Sequence, residues 1–155
     1  MAKILLLKIW RLFPAWMQAA ASRLIRPLFQ VFAVAIIFDT QNRILLVKTT
    51  YNRFHPWGLP GGSLEYGETA EETLLREMWE ETSLQIEIDR LLFVKTWAPD
   101  RVGLYYLCNI TGGAFQPSDE VSELGYFHHE DLPDVRAEDV ELIKRIYEEV
   151  VYELA

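Results

Sequence analysis

The stretch Gly61–Leu84 reads GGSLEYGETAEETLLREMWEETSL, and it places a helix start signal between a glycine pair and a cluster of acids. Thr69 can accept a hydrogen bond from the backbone N–H three residues further on, and Glu72 can reach back to the N–H of Thr69. This capping box predicts a helix from Thr69 to about Thr82.

Three glutamates on the predicted helix, Glu77, Glu80 and Glu81, have spacings that place them on one face. Like charges at these spacings destabilise a helix by roughly 0.2–0.5 kcal/mol per pair. The cluster fits a hard divalent cation, because Mg²⁺ is bound through carboxylates together with substrate phosphates. Arg76 lies four residues before Glu80, so its guanidinium can hold a carboxylate and orient it. The plainer alternative is a solvated acidic face, which is what most acidic helices present.

The whole stretch fits the pattern G-x5-E-x7-R-E-U-x-E-E-x-G-U, where U is a bulky apolar residue. The matching positions are Gly62, Glu68, Arg76, Glu77, Met78, Glu80, Glu81 and Leu84. This pattern resembles the signature of the Nudix (MutT-like) hydrolases. Ser83 departs from it, because the family has glycine there and another residue in the left-handed conformation costs on the order of 1 kcal/mol.

The resemblance implies a set of site residues in this chain. Glu77 and Glu80 would be catalytic, Glu77 acting either as a metal ligand or as the base, and Arg76 would orient the carboxylates. The implied metal ligands are the carbonyl of Gly61 and the side chains of Glu77, Glu80, Glu81 and Glu120. Members of the family often have a further glutamate ligand in the loop before the last strand. Glu120 is the first choice for that ligand and Glu123 is the second. Mg²⁺ is the expected ion, and Mn²⁺ is expected to substitute for it.

The implied reaction is hydrolysis of a diphosphate linkage in a nucleoside diphosphate joined to another group. ADP-ribose, nucleoside triphosphates, dinucleoside polyphosphates and capped RNA ends all stay open as substrates. Pro99, fifteen residues beyond Leu84, is a position at which ADP-ribose hydrolases of the family often carry proline, although an ordinary turn also explains it. The rival interpretation is a binding module that recognises a nucleotide without cleaving it.

Aromatic and basic side chains near the glycine pair are candidate substrate contacts. Tyr51, Arg53 and Trp57 lie in the loop before it, and Trp97 ends a later predicted strand. Arginine can meet phosphate oxygens and the rings can stack on a base, while the plainer alternative is that they cover the edge of the core.

The remaining pattern predicts an α/β (α+β) fold, a Nudix-like α/β/α sandwich with a mixed sheet over residues 31–155. Apolar runs predict a hairpin of Val31–Phe38 with Arg43–Lys48 and a second hairpin of Leu91–Trp97 with Gly103–Ile110. Val121–Phe127 is a further predicted strand, and an amphipathic helix is predicted from Asp134 onward.

Composition limits the classes of protein that fit this chain. With 155 residues, half of them hydrophobic, one globular domain is expected. The single cysteine, Cys108, lies in an apolar run and is expected to be a buried thiol in a reducing, cytoplasmic compartment. Residues 1–38 carry +5 and the whole chain −8, so residues 39–155 carry −13. An acidic body of this kind argues against broad nucleic-acid binding, whereas a small nucleotide remains a suitable partner once metal ions neutralise both.

Residues 1–30 are basic, aromatic and apolar, and they lie outside the resemblance. We expect a helical extension that packs on the domain or on a twin subunit, in a homodimer or a monomer. Two alternatives stay open: a segment making peripheral membrane contact, and a cleaved or disordered leader.

Overall fold

The computed structural model describes residues 10–18, 28–97 and 99–152. The first half of the fold contains β1 (Gln30–Ile37), β2 (Ile44–Thr49), β3 (Trp57–Gly58), β4 (Gly61–Ser63) and α1 (Ala70–Thr82). The second half contains β5 (Leu84–Trp97), β6 (Arg101–Gly113), β7 (Val121–Phe127), α2 (Ala137–Tyr147) and a π-helical turn (Glu148–Tyr152).

The strands form two sheets. One has four strands in the order β4-β1-β6-β5, and the other has three in the order β3-β2-β7. The first sheet is mixed, because β1 runs parallel to β6 and antiparallel to β4.

Two groups of buried side chains pack against the two helices. The α1-side cluster combines Leu74 and Met78 of α1 with Ala33 and Ala35 of β1, whereas Ile36 of β1 faces the other group. That second group, the α2-side cluster, includes Ile36, Ile44, Leu46, Leu142, Ile143 and Ile146. Successive residues of a strand point to opposite faces, so the two helices cover opposite faces of the sheets. The predicted α/β/α sandwich with a mixed sheet is therefore confirmed.

The first predicted hairpin is wrong. Beyond a single bridge between Phe38 and Ile44, β1 and β2 do not pair and belong to different sheets. The turn between them is tight, because Asp39 accepts from the backbone N–H of Arg43 at 2.8 Å and forms an ion pair with its guanidinium. The partners of β1 are instead β4 and β6, and β6 follows β1 by more than sixty residues.

The second predicted hairpin is confirmed, with longer strands than expected. β5 and β6 pair antiparallel from Leu84 opposite Gly113 to Trp97 opposite Arg101. The predicted strand at Val121–Phe127 is confirmed as β7. The final helix begins at Ala137, after a loop. Cys108 on β6 is buried, as expected.

Most of the predicted N-terminal extension lies outside the described residues. Within residues 10–18, a short helical turn covers 15–18, and the side-chain amide of Gln18 donates to the carbonyl of Phe13 at 2.8 Å. In the described part of the chain, none of the helices has the length and apolar character needed to cross a membrane.

Candidate active site

The predicted capping box is present at the start of α1. The backbone N–H of Glu72 donates to the Thr69 hydroxyl at 3.1 Å, and the backbone N–H of Thr69 donates to the Glu72 carboxylate at 2.8 Å. These bonds satisfy two backbone donors that a helix end otherwise leaves unpaired. They therefore fix where α1 begins and how its acidic face is turned.

Ser83 keeps the turn geometry that glycine would provide. It is the C-cap of α1 and adopts φ 57° and ψ 22°, a left-handed conformation, with its N–H directed at the carbonyl of Trp79. The departure from the family pattern thus costs conformational energy and leaves the path of the chain unchanged.

Arg76 contacts three carboxylates at the acidic face of α1. Its guanidinium makes a two-pronged contact with Glu68, with Nε–Oε1 at 2.8 Å and Nη2–Oε2 at 3.0 Å. Its Nη1 donates to Glu77 at 2.9 Å and to Glu80 at 3.2 Å. One cation therefore positions two of the predicted catalytic carboxylates while a third carboxylate holds the cation.

Glu68 is itself fixed by a buried hydroxyl. Thr73, which is fully buried on α1, donates to Oε2 of Glu68 at 2.9 Å. The hydrogen bonds from Arg76, followed by the one from Thr73, lower the pKa of Glu68 to about 2. Glu68 is thus ionised at neutral pH, as its contact with Arg76 requires.

The glycine pair lies where side chains would obstruct the fold. A Cβ atom on Gly61, whose φ is +151°, would overlap the carbonyl oxygen of Ala33 on the adjacent strand. A Cβ atom on Gly62 would overlap the carboxyl group of Glu77. Glycine at both positions therefore lets β4 pair closely with β1 and lets Glu77 lie against β4.

Glu81 has the carboxyl group with the most strongly shifted pKa on α1. Burial, followed by the charges of Glu77, Glu120 and Glu80, raises its pKa to about 7. No positive charge is among the causes. Burial is also the main reason that the pKa of Glu77 is raised, and it outweighs the opposing effect of Arg76.

Glu120 joins this group from the loop before β7. The backbone N–H of Thr50 donates to the Glu120 carbonyl at 2.8 Å, which ties that loop to the segment holding Tyr51. Glu123, the second choice from the sequence, instead forms an ion pair with Lys48 at 2.6 Å. The charge of Glu120 acts on Glu77 and on Glu81, so Glu120 is the acid that the fold brings to the α1 face.

The donor set fits a hard divalent cation. The pKa values of the Glu77 and Glu81 carboxyls are raised by burial and by the negative charges of neighbouring glutamates, which is the electrostatic state that a bound cation relieves. As placed, no three acidic, histidine or cysteine side chains among the described residues are close enough together to hold a metal ion.

A cavity of about 690 Å³ opens next to β4. Gly61 and Gly62 line it, and so do the predicted contacts Tyr51, Trp57 and Trp97. The cavity thus adjoins Glu77 through Gly62. Arg53, the fourth predicted contact, is exposed and is not one of the lining residues.

The three aromatic side chains differ in how they are held. Trp57 packs edge-on against Phe127 with ring centroids 5.0 Å apart, so it also takes part in core packing. Trp97 donates from Nε1 to the Tyr105 hydroxyl at 3.1 Å. Tyr51 is exposed over 70% of its surface and is therefore available to a ligand.

Sequence reasoning missed several polar residues of the cavity. They include Arg101, Arg136, Glu138 and Asp139. Arg136 is the N-cap residue of α2, a position where hydroxyl or acidic side chains are favoured. A basic residue at that position is the one local feature of the sequence that could have indicated this part of the cavity.

Comparison with known proteins agrees with this fold. The model of the NUDIX domain family matches residues 28–149. An ADP-ribose pyrophosphatase of Methanocaldococcus jannaschii is 35% identical over 121 residues, covering 72% of this chain and 71% of that protein. The crystal structure of an ADP-ribose pyrophosphatase from Streptococcus suis is similar with a TM-score of 0.63 and 28% identity, covering 76% of this chain and 90% of that one. A NUDIX hydrolase from Nitrosomonas europaea reaches a TM-score of 0.70 at 25% identity, covering 82% and 74%.

The chain belongs to the Nudix family. It is an enzyme, a hydrolase of the Nudix type. Nudix hydrolases generally use divalent metal ions and act on small nucleotide substrates.

Proposed function

We propose that this protein hydrolyses the diphosphate linkage of a nucleoside diphosphate derivative in the presence of Mg²⁺, with Mn²⁺ able to substitute. The observation that supports this proposal most strongly is the acidic face of α1, where Arg76 contacts Glu77 at 2.9 Å and Glu80 at 3.2 Å, and Glu77 lies against Gly62 of the cavity wall. A hydrolase of ADP-ribose among its relatives points in the same direction.

In this proposal the carboxylates of Glu80, Glu81 and Glu120, with the carbonyl of Gly61, hold the metal. When bound, Mg²⁺ supplies positive charge that lowers the pKa of water and stabilises the oxygens of an in-line displacement at phosphorus. Carboxylate and carbonyl oxygens suit it, because Mg²⁺ prefers hard ligands.

Glu77 is the proposed base that accepts a proton from the attacking water. Its pKa is raised by burial, which increases its affinity for that proton. The bond from Arg76 at 2.9 Å limits where its carboxylate can lie. Glu77 as a further metal ligand is the alternative for the same position.

Tyr51, Trp57 and Trp97 would contact the nucleotide from the walls of the cavity. Arg53 keeps its proposed role only through the surface next to the cavity, where it could meet a phosphate that extends into solvent. The position of Pro99 in the β5–β6 turn, next to that wall, is compatible with ADP-ribose.

The test is product analysis on a panel of nucleoside diphosphate derivatives, with Mg²⁺ and with a chelator. We expect metal-dependent release of a nucleoside monophosphate, and we expect Glu80→Gln to lower turnover at least ~10²-fold while circular dichroism is unchanged. Glu87→Gln, at an exposed position on β5, is the matched control and should keep full turnover. Full turnover by Glu80→Gln would show that the metal ligands are assigned wrongly. Turnover without metal would show that the proposed reaction is wrong.

A further inference from the structure

Three charged side chains form a cluster where the start of α2 meets the cavity. Nε of Arg136 donates to Oδ2 of Asp139 at 2.9 Å, and Nη1 lies 3.5 Å from Oε1 of Glu138. All three residues line the cavity. We call this set the α2 charge cluster.

We infer that the α2 charge cluster receives the hydroxyl groups of an uncharged sugar and disfavours a third phosphate group. This inference rests on the proposed function, since it concerns the same cavity, and it narrows the class of substrate.

The charges along the cavity wall support an uncharged ligand. Two arginines, Arg101 and Arg136, and two acids, Glu138 and Asp139, line the cavity, so these charges cancel. A site for an additional phosphate needs uncompensated positive charge or several free donors. Here the Arg136 guanidinium is already partnered by two carboxylates, and a third phosphate would meet the negative charge of Glu138.

The donors and acceptors of the cluster match those of a sugar. A hydroxyl both donates and accepts, whereas an ionised carboxylate only accepts and a guanidinium only donates. The half-exposed Glu138 can accept a hydrogen bond from one sugar hydroxyl, while a terminal nitrogen of Arg136 donates to the adjacent hydroxyl of the same sugar. Gln30, Thr49 and Asn52 also line the cavity and carry no charge.

The cluster is poorly explained as a helix cap. Arg136 occupies the N-cap of α2, where its charge opposes the helix dipole, and its side chain makes no capping bond. Asp139 is buried to 8% exposure, and that burial raises its pKa despite the nearby Arg136. Stabilising α2 alone would therefore favour a small hydroxyl or acidic residue at 136, while a role in the cavity accounts for arginine.

Asp139 is a positioning residue in this arrangement. Its Oδ2 accepts a hydrogen bond from Nε of Arg136. Within the described residues, the terminal Nη2 of Arg136 has no protein partner. That nitrogen is free to donate to a ligand.

The experiment compares ADP-ribose with ATP as substrates of the full-length protein at saturating Mg²⁺. For the unaltered enzyme we expect kcat/KM to favour ADP-ribose. Glu138→Gln should lower kcat/KM for ADP-ribose about tenfold, mainly through KM, because a charge-assisted hydrogen bond is lost. Glu138→Lys should shift the preference toward ATP. Glu141→Gln, an exposed change on the same helix, is the control and should alter neither value.

Two further substrates identify which sugar the cluster contacts. If the cluster contacts the distal sugar, the methyl ester of ADP should be insensitive to Glu138→Gln, while 2′-deoxy-ADP-ribose should keep the full effect. The reverse result would assign the nucleoside ribose. Calorimetry with a non-hydrolysable methylene analogue of ADP-ribose gives an independent reading of binding, and there the Glu138→Gln variant should bind about tenfold more weakly.

The outcomes separate this inference from the proposed function. Equal effects of Glu138→Gln and Glu141→Gln on ADP-ribose, or a preference of the unaltered enzyme for ATP, would overturn the sugar site and leave the hydrolase intact. Absence of turnover on every substrate would overturn the proposed function and this inference with it.

Discussion

Gly62 on β4 lies directly against the carboxyl group of Glu77 on α1, with no room for a Cβ atom between them. The glycine pair therefore allows the proposed base to lie close to β4, in addition to forming a turn. Any side chain at position 62 must displace Glu77 or separate β4 from α1.

We expect Gly62→Ala to lower kcat by about 10²-fold, because a catalytic group displaced by about 1 Å loses that much rate. Circular dichroism should stay unchanged. Gly112→Ala is a suitable control, since a Cβ atom there meets only the flexible end of Gln85. Full activity of Gly62→Ala in steady-state assays would contradict a role for this contact.

The hydroxyl of Thr73 gives a second prediction. Thr73→Val keeps the shape of the buried side chain and removes the donor to Glu68, so Arg76 loses part of its support. We expect the affinity for Mg²⁺, measured by calorimetry, to fall by up to about tenfold, because Arg76 orients Glu77 and Glu80 of the proposed metal site.

Thr73→Ser is the matched comparison, because it removes a methyl group and keeps the donor. It should lower the melting temperature slightly and leave the affinity for Mg²⁺ unchanged. If the serine and valine variants weaken metal binding equally, packing at position 73 is responsible and the hydrogen bond is not.

Ser83 predicts a gain in stability. Its left-handed φ of 57° is costly for serine and free for glycine. We expect Ser83→Gly to raise the free energy of unfolding by about 1 kcal/mol in urea titrations, with little change in turnover. An unchanged or lower value would mean that the Ser83 side chain compensates for the strain.

The raised pKa of Glu81, about 7, predicts a pH dependence for the metal-free protein. Because the folded value lies above the ordinary 4.5, this carboxyl stabilises the fold fully below pH 4.5, and that contribution is lost as pH rises through about 7. The free energy of unfolding in the presence of a chelator should therefore fall over this range.

Denaturant titrations at several pH values test this expectation, and Glu81→Gln should flatten the curve. Saturating Mg²⁺ should also flatten it, because a bound cation replaces the proton. A curve for Glu81→Gln that coincides with that of the unaltered protein would assign the pH dependence to another group.

Local signals predicted the parts of the fold that depend on neighbours in sequence. The capping box at Thr69 located α1, and the turn before Arg101 located the β5–β6 hairpin. The spacing of the acids on α1 predicted that they share one face, and their role as metal ligands stays a prediction.

Contacts between distant segments were not predictable in the same way. The turn at Asp39–Arg43 indicated a hairpin, but β1 pairs in parallel with β6, and no local pattern encodes that choice. The spacing of Arg76 and Glu80 correctly indicated their contact, whereas the two-pronged partner of Arg76 is Glu68, eight residues earlier and outside the helix. The α2 charge cluster meets the cavity only through tertiary packing.

The division of the core into two clusters separates two kinds of change that a lineage can accumulate. The glutamates of α1 depend on the α1-side cluster, whereas Arg136 and its partners depend on the α2-side cluster. Under the proposed function, mutations that alter substrate choice can therefore arise beside one cluster while the packing that supports the proposed metal site is kept.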